Sequence, residues 1–230
     1  MIRGKIRQLN GWRFCFKYMS LKIYEIFYSL QGETSRVGLP TIFVRLTGCP
    51  MRCTYCDTAY AFSGGANMHI AEILQKVSEF DTKFITVTGG EPLAQKECLL
   101  LLQALCDAGY SVSLETGGAM DIAPVDARVS VILDIKTPAS AETKNMLWSN
   151  INHLKPSDEI KFVLVNRADY DWAKAKITAL KLTEKCPILL SPSFHDLKAN
   201  ELASWVLADQ LPVRMQVQLH KILWGEMPGV

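Results

Sequence analysis

A chain of 230 residues, 49% of them hydrophobic, is long enough to bury the core of one domain. Its 25 basic and 23 acidic residues nearly cancel to a formal net charge of +2, so no basic stripe or acidic tail points to a nucleic-acid partner. No apolar run approaches the roughly 20 residues of a bilayer span, and no membrane partner is expected.

Residues 1–20, MIRGKIRQLNGWRFCFKYMS, are basic without an acid and lack the apolar core and cleavage pattern of a signal peptide. They read as a flexible extension, or as residues ahead of a true start at Met19, with 21–230 as a single domain. Ile23–Leu30 reads as a short strand. Six β-branched apolar runs follow, at Ile42–Leu46, Phe84–Thr88, Ser111–Glu115, Ser130–Ile135, Ile160–Val165 and Pro187–Leu190. Between them helical spacing predicts helices over Ile70–Phe80, Glu97–Ala108, Ala141–Asn150, Asp169–Leu182 and Leu197–Asp209; the connection after Glu115 is the least helical. Val213–Leu219 reads as a closing strand. Such alternation favours parallel strands joined by right-handed crossovers, as a wound open sheet or part of a barrel.

The unusual residues gather at one edge of that sheet. Thr47-Gly48-Cys49, Gly89-Gly90-Glu91-Pro92, Thr116-Gly117-Gly118, Lys136-Thr137-Pro138, Asn166 and Ser191-Pro192-Ser193 each follow one of the six strands. In parallel α/β folds the carboxyl edge is where ligand-binding groups collect.

Seven cysteines, three of them within eight residues, make a poor disulfide framework and fit a reducing cytoplasm. Cys15, Cys98, Cys106 and Cys186 stand alone, and Cys98 and Cys106 read as small buried hydrophobes in an apolar helix. Cys49, Cys53 and Cys56 share one loop in a C-x3-C-x2-C spacing. Soft thiolates suit zinc or iron–sulfur clusters. A structural zinc site closes with four ligands, yet after Cys56 the next candidate, His69, is thirteen residues on. An open coordination position is the simpler inference, and three cysteines on a [4Fe-4S] cluster leave one iron free to bind a small molecule.

With Tyr55 in the aromatic place, C-x3-C-x-aromatic-C resembles the radical S-adenosylmethionine superfamily. The resemblance implies a partial (β/α)6 barrel of the radical S-adenosylmethionine type with flanking N- and C-terminal strands. It also implies a [4Fe-4S] cluster on Cys49, Cys53 and Cys56, and reductive cleavage of the cofactor to a 5′-deoxyadenosyl radical. Gly89, Gly90 and Glu91 match the motif that contacts the methionine amino group, although GGEP alone could be an ordinary strand-to-helix turn.

A narrower likeness runs from about Tyr24 to Gln218-Leu219-His220-Lys221. Phe27-Tyr28-Ser29-Leu30-Gln31-Gly32-Glu33, Gly38-Leu39-Pro40, Phe43-Val44-Arg45-Leu46, Gly48-Cys49-Pro50 and Cys56-Asp57-Thr58 resemble the 7-carboxy-7-deazaguanine synthase family of the queuosine and deazapurine pathway. That resemblance implies a carbon–nitrogen lyase that contracts 6-carboxy-5,6,7,8-tetrahydropterin to 7-carboxy-7-deazaguanine with loss of ammonia. It implies a homodimer, a flavodoxin- or ferredoxin-type electron donor, and no direct nucleic-acid contact.

Carried over by position, the pterin contacts are Leu30, Gln31, Gly32, Glu33, Arg45, Thr88 and His220. The cofactor contacts are Tyr55, Cys56, Asp57, Gly89, Gly90, Glu91, Asp134 and Lys136, and Thr58 is the Mg2+ ligand. No side chain is assigned a catalytic step of its own. Gln31 offers paired donor and acceptor atoms to the pterin amide edge, and Arg45 a planar fork to a carboxylate. Plainer roles stand beside these. Arg45 could pair with Glu33 or Glu115, Asp134 with Lys136, Asp57 and Thr58 could cap a turn, and His220 could be an ordinary histidine.

The chain departs from the family pattern at Thr34, where glycine is usual, and at Leu-Asp-Ile-Lys ending in Lys136, where a serine is common. The rival readings are a glycyl-radical activating enzyme, which shares the cysteine loop but not LQGE, and a non-catalytic iron–sulfur or zinc module.

Overall fold

A computed structural model of the chain describes residues 19–230. Cys15 and all but the last two residues of the expected 1–20 extension lie outside the described residues. Met19 packs against the core, and Ser20 opens the first strand, β1 (Ser20–Leu30).

β2 (Pro40–Leu46) runs antiparallel to β1, and β3 (Ala66–His69) pairs antiparallel with the other edge of β1. From β2 onward the sheet is parallel through β4 (Phe84–Gly89), β5 (Ser111–Thr116), β6 (Ser130–Asp134), β7 (Glu159–Leu164), β8 (Ile188–Pro192) and β9 (Arg214–Met215). The order is β3-β1-β2-β4-β5-β6-β7-β8-β9, one open nine-stranded sheet. It contains the six-stranded parallel core and both flanking strands of the expected partial barrel.

Strand alternation decides what each face carries. Ile42, Val44 and Leu46 of β2, Ile85 and Val87 of β4, and Val112 and Leu114 of β5 join a core with helices α1 (Ile70–Val77) and α2 (Cys98–Asp107). Leu133, Ile160, Phe162, Leu164, Ile188 and Leu190 form a second core with α3 (Arg167–Ala179) and α4 (Ala199–Ala208). The opposite face carries the polar members of the same strands. Cys98 is fully buried, as expected, and the described cysteines are free thiols.

Two expectations need correction, and one strand, β3, was not expected. Ala141–Asn150 is not a helix but short 3-10 turns at Thr143–Asn145 and Trp148–His153, preceded by another at Pro138–Ser140. Ala141 takes a left-handed conformation (φ 64), which stops a helix from propagating, and Glu142 and the preceding Ala139 bond the cysteine loop instead. With no helix between β5 and β6 either, two of the crossovers are irregular. Of Val213–Leu219 only Arg214–Met215 pairs in the sheet; Leu219 N donates to Gly32 O (3.0 Å) and the chain turns into α5 (Leu219–Trp224). β3 was not expected because its four residues, Ala66-Asn67-Met68-His69, form a short, largely exposed edge strand without a β-branched run.

Candidate active site

The carboxyl ends of the parallel strands open into one cleft of about 230 Å3. Its walls are the inward residues Phe43, Arg45, Thr88, Glu115, Ile132, Asp134, Lys161 and Val163, together with Leu30–Glu33, the cysteine loop and α5. Five of the six strand-end groups contribute lining residues. The sixth, Asn166, caps α3 by accepting from Asp169 N (3.0 Å).

The cysteine loop leaves β2 through Gly48, whose φ of +96 requires glycine. It is moored on three sides. Gly48 N donates to Ala61 O and Gly48 O accepts from Glu91 N, both at 2.9 Å. Arg52 N donates to Glu142 Oε1 (2.7 Å), and Thr54 Oγ1 to Ala139 O (2.7 Å). The 139–142 turn is itself held by Asp169, which accepts from Thr137 Oγ1, Ala139 N and Val165 N.

So fixed, Cys49, Cys53 and Cys56 present half-buried free thiols to the same cleft. Burial pushes all three up, Cys53 to about 11, while the Lys136 ammonium pulls each the other way. Among the described residues no three His, Cys, Asp or Glu side chains gather closely enough to hold a single metal ion. Three soft ligands around one cleft fit an iron–sulfur cluster. Beside them Tyr55 OH and Asp134 Oδ1 are buried without a partner, as expected of groups that meet a polar ligand such as S-adenosylmethionine.

Gly89 and Gly90 line the cleft, whereas Glu91 lies beneath it, fully buried. The Glu91 carboxylate accepts from Leu93 N (3.1 Å), Thr116 Oγ1 (2.9 Å) and Gly117 N (2.8 Å). Burial raises its pKa against these donors. In this structure it ties the end of β4 to the end of β5.

On the other side Gln31 Nε2 donates to Thr86 Oγ1 (3.1 Å) and reaches Glu115 Oε1 (3.4 Å), while Thr88 Oγ1 donates to Glu115 Oε2 (2.8 Å). Glu115 is pushed up by burial, against Lys161 and Thr88. Arg45 pairs with Glu25 (2.7 Å), not with Glu33 or Glu115, and its guanidinium lies over the rings of Phe27 and Tyr60. One edge of that fork still faces the cleft. His220 abuts Gly32 so closely that a Cβ there would stand 2.0 Å from its Nδ1, and burial lowers its pKa.

Asp134 and Lys136 do form the plainer pair, at 3.0 Å, yet both also line the cleft. Thr58 Oγ1 donates to Asp57 Oδ1 (2.9 Å) and makes no capping bond to the 3-10 turn Ala59–Phe62 that follows. Thr34 occupies the left-handed region (φ 69), the conformation that the usual glycine would take at no cost. Its amide donates to Gln216 Oε1 (2.9 Å) and its hydroxyl accepts from Arg36 N (3.2 Å).

Lys161, Met51 and Phe194 also line the cleft and were not singled out from the sequence. For Lys161 a signal existed: it is the one charge inside the apolar run Ile160–Val165.

Comparison with known proteins bears on this cleft. The family model described as the radical S-adenosylmethionine superfamily matches residues 43–139, which run from within β2 through the cysteine loop and GGEP to the Asp134–Lys136 strand end. The 7-carboxy-7-deazaguanine synthase of Chlorobaculum tepidum is 47% identical over 208 residues, covering 89% of this chain and 94% of that protein. That of Koribacter versatilis is 40% identical over 226 residues, covering 91% and 100%. The crystal structure of QueE from Escherichia coli shares the fold at a TM-score of 0.75 and 23% identity, over 91% of this chain and 99% of that one. With cysteine loop, glycine motif and LQGE segment facing one cleft and relatives of this identity matched along nearly their whole length, the chain belongs to the 7-carboxy-7-deazaguanine synthase family of radical S-adenosylmethionine enzymes.

Proposed function

We propose that this chain converts 6-carboxy-5,6,7,8-tetrahydropterin to 7-carboxy-7-deazaguanine with loss of ammonia. The observation that carries the proposal is the shared cleft: Leu30–Glu33, Arg45, Thr88 and His220 face the same space as the three cysteines, Tyr55 and Gly90. When bound, the [4Fe-4S] cluster and S-adenosylmethionine supply a carbon radical able to abstract hydrogen from the pterin.

The chain's own residues do the rest. Cys49, Cys53 and Cys56 would hold the cluster. Tyr55, Cys56, Asp57, Gly89, Gly90, Asp134 and Lys136 take up the cofactor, with Glu91 fixing the backbone beneath them. Gln31, whose Nε2 is held by Thr86 and Glu115 and whose Oε1 accepts from Glu33 N, has a remaining Oε1 lone pair for the pterin edge; Arg45, braced by Glu25, offers its remaining donors to a carboxylate. Apolar Phe27, Phe43, Ile132 and Val163 exclude water from the space between. The left-over donor capacity of this polar wall suits a pterin, which is rich in paired donors and acceptors.

Thr58 would hold Mg2+ together with a substrate carboxylate and waters, a site suited to a hard cation. Its hydroxyl and the adjacent Asp57 carboxylate, both on the cleft wall, support that assignment. A flavodoxin- or ferredoxin-type donor, a homodimer and a cytoplasmic location complete the reading. Among the described residues no helix is long and apolar enough to cross a membrane.

The test is anaerobic reconstitution with iron and sulfide, then incubation with dithionite, S-adenosylmethionine, Mg2+ and the carboxypterin. The expected result is 7-carboxy-7-deazaguanine and ammonia in equal amounts, with cofactor consumed substoichiometrically. Cofactor cleavage without the deazaguanine product would overturn the proposal.

A further inference from the structure

Lys161 sits in the middle of β7, between Asp134 of β6 and Leu189 of β8 in register. Its side chain is only 12% exposed, and Nζ stands 2.6 Å from Glu33 Oε2 and 3.5 Å from Asp134 Oδ2. The other Glu33 oxygen accepts from Gln218 Nε2 (2.8 Å), and Asp134 Oδ2 also meets Lys136 Nζ (3.0 Å). A continuous, largely buried chain of charge therefore runs from Lys136 through Asp134 and Lys161 to Glu33, which Gln218 holds from the other side.

A buried ammonium costs several kcal/mol unless it is paired, and one carboxylate would satisfy that need. Lys161 instead bridges two carboxylates on opposite sides of the cleft. The consequences at each end differ. Glu33 has both oxygens engaged, so the LQGE backbone is pinned in place. Asp134 has only Oδ2 engaged, by two lysines, which leaves Oδ1 buried and unpartnered.

We propose that Lys161 is a positioning residue shared by both ligand sites: it locks Glu33 for the pterin and holds Asp134 by one oxygen so that the other is free for S-adenosylmethionine. The inference rests on the reading above for which ligand meets which carboxylate.

The test is equilibrium binding to reconstituted holoenzyme without reductant, so that nothing turns over. Carboxypterin and S-adenosylmethionine are titrated separately into wild type, Lys161→Met, Glu33→Gln and the double variant, with thermal melts alongside. Lys161→Met is expected to weaken both ligands about tenfold. In the Glu33→Gln background its effect on the pterin should shrink to within about threefold, while the effect on S-adenosylmethionine persists. A merely structural lysine would lower the melting temperature without that split.

Unchanged affinities in Lys161→Met, or an equal loss of pterin affinity in both backgrounds, would overturn the proposal. If Lys161→Met does not fold because it leaves the buried Glu33 without a cation, Glu33→Gln and the double variant carry the test through S-adenosylmethionine alone. Equal affinity in that pair would overturn it. Should wild type bind no carboxypterin, the substrate reading fails, and the S-adenosylmethionine arm still decides the role of Lys161 toward Asp134.

Discussion

Gly90→Ala adds a single methyl where two backbones meet. The new Cβ would stand 2.2 Å from Gly48 O and 2.6 Å from Cys49 Cβ. Gly48 O is also the acceptor for Glu91 N at 2.9 Å, so the end of β4 and the start of the cysteine loop are bonded at the very point of the clash. Reaching ordinary contact requires a separation of roughly 1 Å, which breaks or stretches that bond and carries Cys49 with it. Overpacking of this kind costs about 1–3 kcal/mol, a melting temperature lower by several degrees. A displacement of about 1 Å at reacting groups costs on the order of 100-fold in rate.

Gly48→Ala is the control. It meets nothing within 4 Å but has φ +96, so its penalty is purely conformational, about 1–2 kcal/mol. The assay is 5′-deoxyadenosine formed per cluster under anaerobic reduction, beside iron content and thermal melts. Gly90→Ala should lose far more cleavage per cluster than Gly48→Ala at a comparable loss of stability. Wild-type cleavage per cluster in Gly90→Ala would refute the view that backbone contact between the GGE turn and Cys49 sets the geometry.

Cys53→Ala should bind no intact cluster and form no 5′-deoxyadenosine while keeping its far-ultraviolet circular dichroism; cofactor cleavage by this variant would remove Cys53 from the ligand set. Thr58→Ala should lose the stimulation of turnover by Mg2+, and equal Mg2+ dependence in variant and wild type would remove Thr58 from the ion site. Glu115→Gln should change the pH dependence of stability. Burial holds the Glu115 carboxyl above its unfolded value of about 4.3, so its contribution is complete below that value and declines as pH rises through the folded one. The variant lacks that decline, and melts between pH 4 and 8, on the order of that window, should diverge in its favour as pH rises; parallel curves would refute the assignment.

Much of the architecture was legible because its signals are local. β-branched runs marked all six strands of the parallel core, and glycine at Gly48, Gly89 and Gly90 marked the turns at their carboxyl ends. The misreadings share a cause as well. Ala141–Asn150 has helical spacing, but Ala141 is left-handed and Glu142 found a distant partner in Arg52, and these outweigh propensity. β3 is an edge strand stabilised by backbone pairing with Ser20–Ile23, and the four residues Ala66-Asn67-Met68-His69 are too short and too exposed to carry a β-branched apolar run.

The three cysteines, the GGE turn and the LQGE segment are local motifs, so the cysteine spacing pointed to a soft-metal site with an open position, and the resemblance carried by all three implied the cluster and a candidate substrate loop. How the cleft is braced could be decided only by the fold. Lys161 meets Glu33 across 128 positions and Gln218 meets Glu33 across 185, while Arg45 chose Glu25 over the carboxylates that its strand made plausible. Glu91 sits under the floor because Thr116 and Gly117 of the neighbouring strand supply its donors. Buried charges are satisfied by whichever partners the sheet brings within reach, and that depends on strand order and register, which no single stretch of sequence encodes.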